Sequence, residues 1–190
     1  ALLLNKHLIC PKDTDLYEIV KRGFQISDTP VENTVFDKHD ACEKRCQAVN
    51  ENGMSYKHVV VEISDFSGYK NEDNGGALYL VNTGISCIGT TYKECISSQK
   101  GGGAIFLYNK RETKNTIEFF GVKISSCSAV FGGGAYVYSK CKESVVTFKD
   151  CTFKENTAMA KGDNDFCGSG AIYLTVAAVN IINNVFINYK

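Results

Sequence analysis

The residues best suited to chemistry in this chain are its cysteines and histidines, nine and three of them among 190 residues. His39, Cys42 and Cys46 stand at i, i+3 and i+7, one face of a helix, and Cys10 would complete a four-ligand zinc set. Three ligands from a single helix make an awkward tetrahedron, and Cys-x-x-x-Cys alone is a weak zinc signal. Cys42, Cys46 and Cys10 serve as well as disulfide partners or as small apolar core residues, so no metal or cofactor is assigned. Two further pairs are disulfide candidates. Cys95 and Cys127 hold the same place in successive copies of a repeat, and stacking at ~4.8 Å would bring their Cα atoms within disulfide range. Cys141 and Cys167 lie in segments that flank neighbouring glycine-led strands, where a bridge would staple loops. The alternative for each pair is two buried thiols. Nine is odd, so at least one cysteine is free or pairs outside this chain. This cysteine usage tilts towards an oxidising compartment.

Acid–base chemistry finds less support. Glycoside cleavage needs two carboxylates at a defined separation. Glu62, Glu118, Lys149 and Asp150 are scattered, and the glycine-led strands carry no charge at all. All three histidines, His7, His39 and His58, fall in or next to the N-terminal segment. No catalytic residue is assigned. A carbohydrate-active enzyme with acidic residues on a loop such as Asp163-Asn164-Asp165 is the alternative.

Binding chemistry is better represented. Alternate residues of a strand face opposite ways. If Leu78/Leu80, Ile105/Leu107, Tyr136/Tyr138 and Ile172/Leu174 point inward, then Tyr79, Phe106, Val137 and Tyr173 form an outward ladder. An exposed apolar stripe marks a contact surface for a glycan or another protein. That choice of faces buries two tyrosines in one coil; reversed parity, or cover by loops or cap, is the alternative.

The elements that must position these residues come from a repeat. Gly75-Gly76-Ala77-Leu78, Gly102-Gly103-Ala104-Ile105, Gly133-Gly134-Ala135-Tyr136 and Gly168-Ser169-Gly170-Ala171-Ile172 each run into a short apolar strand. Their alanines are spaced by 27, 31 and 36 residues. A unit of this length that returns is the mark of a stacked repeat. The glycines suit a sharp corner with positive φ. A phosphate-binding loop would lead into a helix, and here a β run follows each time.

A second pattern fills the gaps. Ile85-x-Cys87 leads to Thr90, Tyr92 and Cys95; Ile117-x-Phe119 to Val122, Ile124 and Cys127; Val146-x-Phe148 to Cys151, Phe153 and Asn156; Val179-x-Ile181 to Asn184, Phe186 and Tyr189. Val61-x-Ile63 with Phe66 and Asn71 reads as a first, degenerate copy, with Gly68 where the others carry a large side chain. Each unit offers two or three strands that can bury an apolar side only by stacking on the next unit. The expected fold is all-β: a parallel β-helix over 58–190, about four to five coils and roughly 20–24 Å long at ~4.8 Å per coil. Segments 109–115, 139–144 and 158–167 vary in length and belong in outer loops.

Residues 1–57 lack the repeat and are expected to cap its open end. A short α-helix is predicted from Lys38 to Val49, with Asp37 as N-cap and Asn52-Gly53 as its stop. Phe24-Gln25-Ile26 alternates like a strand. At the other end, Val185-Phe186-Ile187 is apolar with no cap of its own, so more chain or another molecule, including end-to-end self-association into a fibre, would have to cover it.

Lysine plus arginine and aspartate plus glutamate both number 21, which gives no support for nucleic acid or an anionic membrane as partner. No apolar run approaches the length of a membrane span. Ala1-Leu2-Leu3-Leu4 is too short for a signal peptide, and no Asn-x-Ser/Thr acceptor occurs.

Gly-Gly-Ala-Ile together with Phe153-Lys154-Glu155-Asn156 resembles the paired signature of the polymorphic outer-membrane-protein repeats. These build right-handed β-helix passenger domains of chlamydial surface proteins, with similar repeats on trichomonad surface proteins. The resemblance covers about 60–190. It implies right-handed coils, an extracellular or cell-surface location and a non-catalytic, adhesin-like role.

Overall fold

The computed structural model describes residues 58–159 and 168–188, together with the backbone of three earlier strands, Leu8–Ile9, Phe24–Ser27 and Cys46–Val49. The chain winds into a parallel β-solenoid of about four turns. Each full turn carries four strands, one more than the two or three expected, because short pairs such as Lys70–Asn71 and Thr157–Ala158 join a sheet of their own.

The first sheet stacks Cys46–Val49, Leu78–Val81, Ile105–Asn109, Ala135–Ser139 and Ile172–Thr175 in parallel. The second stacks His58–Glu62, Gly84–Ile88, Ile117–Phe120, Val145–Lys149 and Ala178–Ile182. Asp65–Ser67, Thr91–Lys93, Lys123–Ser125, Thr152–Lys154 and Val185–Ile187 make the third. Lys70–Asn71, Ile96–Gly101, Ser128–Phe131 and Thr157–Ala158 make the fourth.

The spacing of the second sequence pattern follows from its corners. In every copy one residue before the third pattern position has positive φ: Ile63, Gly89, Gly121, Asp150 and Asn183. The same holds before the fifth position, at Gly68, Glu94, Ser126, Glu155 and Asn188. A left-handed residue turns the chain sharply without a long loop, which is why two residues separate each apolar pair. The residue after the corner points inward and must satisfy the freed backbone. Ser64 Oγ, Thr90 Oγ1, Cys95 Sγ, Cys127 Sγ and Cys151 Sγ each donate to the carbonyl two residues back. Asn156 does more. Its Nδ2 donates to Ile124 O at 2.9 Å and its Oδ1 accepts from Cys127 N at 3.0 Å, joining its coil to the one before.

These corners also correct the register of the first copy. Val59 pairs with Ile85, Val61 with Cys87 and Phe66 with Tyr92. The copy therefore reads Val59, Val61, Ser64, Phe66, Tyr69 and is intact. Setting it two residues late had made Gly68, a corner residue, look like a lost side chain.

The glycine-led corner is tighter. Gly75, Gly102 and Gly132 have φ of +71°, +71° and +61°. A Cβ on Gly103 would overlap the Gly133 carbonyl oxygen of the next coil, so only glycine lets the coils close to strand spacing here.

Inside, side chains of one kind stand on one another. Phe119 lies on Phe148 with ring centroids 4.6 Å apart, and Phe66 on Tyr92 at 4.8 Å. The core is one file of such columns from Val59 to Ala171.

At the N-terminal end Leu8–Ile9 pairs antiparallel with Cys46–Val49, and Phe24–Ser27 antiparallel with His58–Glu62. The strand expected at Phe24 is present. Cys46–Val49 is a parallel strand of the first sheet, not the last turn of a helix, so the stack begins ahead of residue 57. The rest of the expected helix lies outside the described residues, and no helix occurs among the described ones. Among them, accordingly, no helix is long and apolar enough to cross a membrane.

Candidate binding site

The outer face of the first sheet carries a column of aromatic rings. Register pairs Tyr79 with Phe106, Phe106 with Tyr136 and Tyr136 with Tyr173. Their centroids are 5.5, 4.8 and 5.1 Å apart, with planes inclined by 10°, 16° and 5°. Face-to-face contact needs only ~3.5 Å, so the rings overlap like shingles, offset rather than eclipsed. A second file runs beside them, Tyr108 on Tyr138 at 4.7 Å.

Three of the four expected ladder residues, Tyr79, Phe106 and Tyr173, stand in this column. Val137 does not. It is fully buried in the core, and Tyr136 takes the outward place. The reason is the third glycine of this copy. Gly134 occupies the position that Ala77 and Ala104 hold elsewhere, so Ala135 pairs with Ile105. Aligning the alanines shifted this strand by one residue and reversed its faces. The correction also removes the two tyrosines from the core. That alignment turns Tyr138 inward; Tyr108, which the expected parity already turns outward, lies in the second file and is not part of the expected ladder. The signal for outward tyrosines was the Tyr-x-Tyr of Tyr136-Val137-Tyr138, which no core column of Leu and Ile would hold.

Beside the column lies a cleft of about 420 Å³. Phe106, Tyr108 and Tyr136 line one side, and Gln99, Lys100 and Phe131 of the fourth sheet the other. Gly101 brings the two sides together: a Cβ there would meet the Tyr136 ring at 3.1 Å. Asn74 Oδ1 accepts from Gly101 N at 3.1 Å and fixes this edge. Lys100 Nζ pairs with Asp73 Oδ1 at 2.7 Å. Burial raises the Tyr136 phenol above its usual pKa, and the neighbouring phenols of Tyr173, Tyr108 and Tyr138 add to this, so it remains a hydrogen-bond donor.

Three of the cysteines, Cys95, Cys127 and Cys151, serve the corners. Cys87, Cys95, Cys127, Cys141 and Cys151 are all buried free thiols. Cys95 and Cys127 do lie in adjacent coils, and Cys95 N donates to Cys127 Sγ at 3.4 Å, yet no bond joins them. Each sulfur is directed at a backbone carbonyl instead. Burial pushes the Cys87 thiol up to about 12 and raises Cys127 and Cys151 as well. Such thiols are poor nucleophiles. Buried thiols of this kind, three of them corner caps, say nothing about redox compartment. Cys141 is a thiol, and its suggested partner Cys167 lies outside the described residues, as do Cys10 and Cys42. Cys46 sits in a strand, so the helical His39, Cys42, Cys46 face is not formed there.

Among the described residues the remaining ionisable groups do not converge, and Asp163-Asn164-Asp165 lies outside them. Glu118 stands between Ser86 and Thr147 on the outside of the second sheet, Lys149 pairs with Phe120, and Asp150 turns a corner. His58, buried, bonds Ser86 Oγ through Nε2 at 2.9 Å, and burial lowers its pKa to about 4. Glu62 is raised by burial.

No family model, curated protein or solved structure matches this chain. The likeness to polymorphic outer-membrane-protein repeats therefore rests on its motifs.

Proposed function

We propose that the chain is a non-catalytic scaffold that holds a partner, a glycan or a protein, against the outer face of its first sheet. The observation that carries this reading is the continuous column Tyr79, Phe106, Tyr136, Tyr173 beside an open cleft. The solenoid buries its core with the inner face alone; the outward rings add stacking contacts between coils, and beside a cleft their partly exposed members also offer a flat apolar wall on which a partner can dock. Location at the cell surface or in the secreted space follows from the resemblance, as does an adhesin-like role.

The test is a glycan and protein array probed with the purified chain, with the reaction products analysed in parallel. Hits lost on Tyr136→Ser with Tyr173→Ser, at unchanged melting temperature, support the reading. Release of reducing or unsaturated sugar ends would replace it with the carbohydrate-active enzyme.

A second reading is end-to-end association. Ile181, Val185 and Phe186 are 52%, 47% and 40% exposed, and among the described residues their strands are paired on one edge only. Filament growth that rises with protein concentration and stops on Ile181→Lys would favour it.

A further inference from the structure

We infer that the cleft between the aromatic column and Phe131 takes one uncharged, hydroxyl-rich ring, a pyranose unit of a neutral glycan. This rests on the partner-binding reading and names its ligand. Size comes first. About 420 Å³ lies at the lower end of small-molecule sites, roughly 300–1,000 Å³, with room for a ring rather than a folded segment.

The lining then selects the chemistry. Phe106, Tyr136 and Phe131 supply apolar walls that suit the C–H faces of a sugar. Among the described residues the Tyr108 and Tyr136 hydroxyls have no hydrogen-bond partner, and Gln99 brings an amide to the exposed rim. An aromatic side chain from a protein partner would cover these polar groups without pairing them, which is costly. A ring bearing hydroxyls pairs them while its carbons meet the walls. Charge decides between sugars. Among the described lining residues the charged one is Lys100, which is paired with Asp73, so the rim carries no net charge to favour an ionised ligand.

The experiment titrates methyl pyranosides of the gluco, galacto, manno and N-acetylglucosamine series, with glucuronate and glucosamine as charged counterparts. Saturation-transfer NMR and calorimetry read the binding. One neutral pyranoside is expected to bind in the millimolar range, as its atom count allows. Tyr136→Phe keeps the ring and removes the hydroxyl, and should weaken binding about three- to tenfold. Phe131→Ala should weaken it about tenfold or more. Gln99→Ala, at an exposed position, covers the case in which Phe131→Ala does not fold. Glu118→Gln on another sheet should change nothing.

Preference for a charged sugar, or equal binding by all variants, overturns the inference. An aromatic peptide library is screened alongside. Peptides that bind and are lost with Tyr136→Ser, while no pyranoside binds, would end the sugar assignment and keep the partner-binding reading. Silence in both arms would remove both.

Discussion

His58–Glu62 and Ala178–Ile182 are the first and last parallel strands of one sheet, and they live in opposite surroundings. All five residues of the first are buried, and all five of the last are exposed. Composition does not separate them: Val59 and Val61 hold the same columns as Val179 and Ile181. The difference is the neighbour. Phe24–Ser27 pairs with the outer edge of His58–Glu62, whereas among the described residues Ala178–Ile182 is paired on one side only. In a solenoid a side chain is buried by the coil above and the coil below, so burial belongs to position in the stack and not to residue type.

The sharpest way to break this comparison uses the column Phe119, Phe148, Ile181. Phe148→Ala, inside the stack, should cost about 3–5 kcal/mol in denaturant unfolding. Ile181→Ala at the end should cost less than about 1 kcal/mol. Equal losses would mean that the last coil is covered in solution.

The covered end should answer to acid. His58 is held near pKa 4 by burial, against 6.5 when free. Between these values the unfolded chain takes up a proton that the folded chain refuses. Stability is therefore full above pH 6.5 and falls as the pH drops towards 4, by about 3 kcal/mol in total. His58→Gln should flatten that fall. Glu62, raised by burial, has the opposite sign: its protonated form is favoured in the fold, so its share is lost as pH rises. A thermal-melt series in both backgrounds separates them, and an unchanged slope in His58→Gln would refute the assignment.

The asparagine corners give a smaller effect. Asn156→Ala orphans Cys127 N–H and Ile124 C=O in a dry interior and should cost about 2–3 kcal/mol. Asn184 makes the same two bonds to Cys151 N and Phe148 O, but it is half-buried and water can replace it. Asn184→Ala should cost about 1 kcal/mol, and a loss as large as that of Asn156→Ala would mean that water does not reach Asn184. Smallest is the corner itself. Ser126 holds φ of +53°, and Ser126→Gly should raise stability by about 0.5–1 kcal/mol, less whatever glycine adds to unfolded-chain freedom. Asn183→Gly should change little, because asparagine already tolerates that region.

Much of this was legible in the residues. The glycine corners, the spaced apolar pattern and the stacking of Cys95 on Cys127 all appear in the sequence, because a coil that repeats its backbone must repeat the residues its corners require. Two stretches misled for one reason. The first copy was read two residues late and the third glycine-led strand one residue out, since similar residues allow more than one alignment of short apolar runs. A strand has a period of two, so a slip of one exchanged Val137 for Tyr136 at the site.

What the sequence determined alone is therefore the coil: its repeat, its corner glycines and the alternation of core and surface within each strand. Hydrogen bonding between coils decided the rest. It set the register that puts Tyr136 rather than Val137 into the column with Tyr79, Phe106 and Tyr173, and placed Phe131 of the fourth sheet across the cleft. The column pairs residues some 25 to 40 positions apart, and the alignment of one coil on the next is fixed by the hydrogen bonds between them rather than by any local pattern.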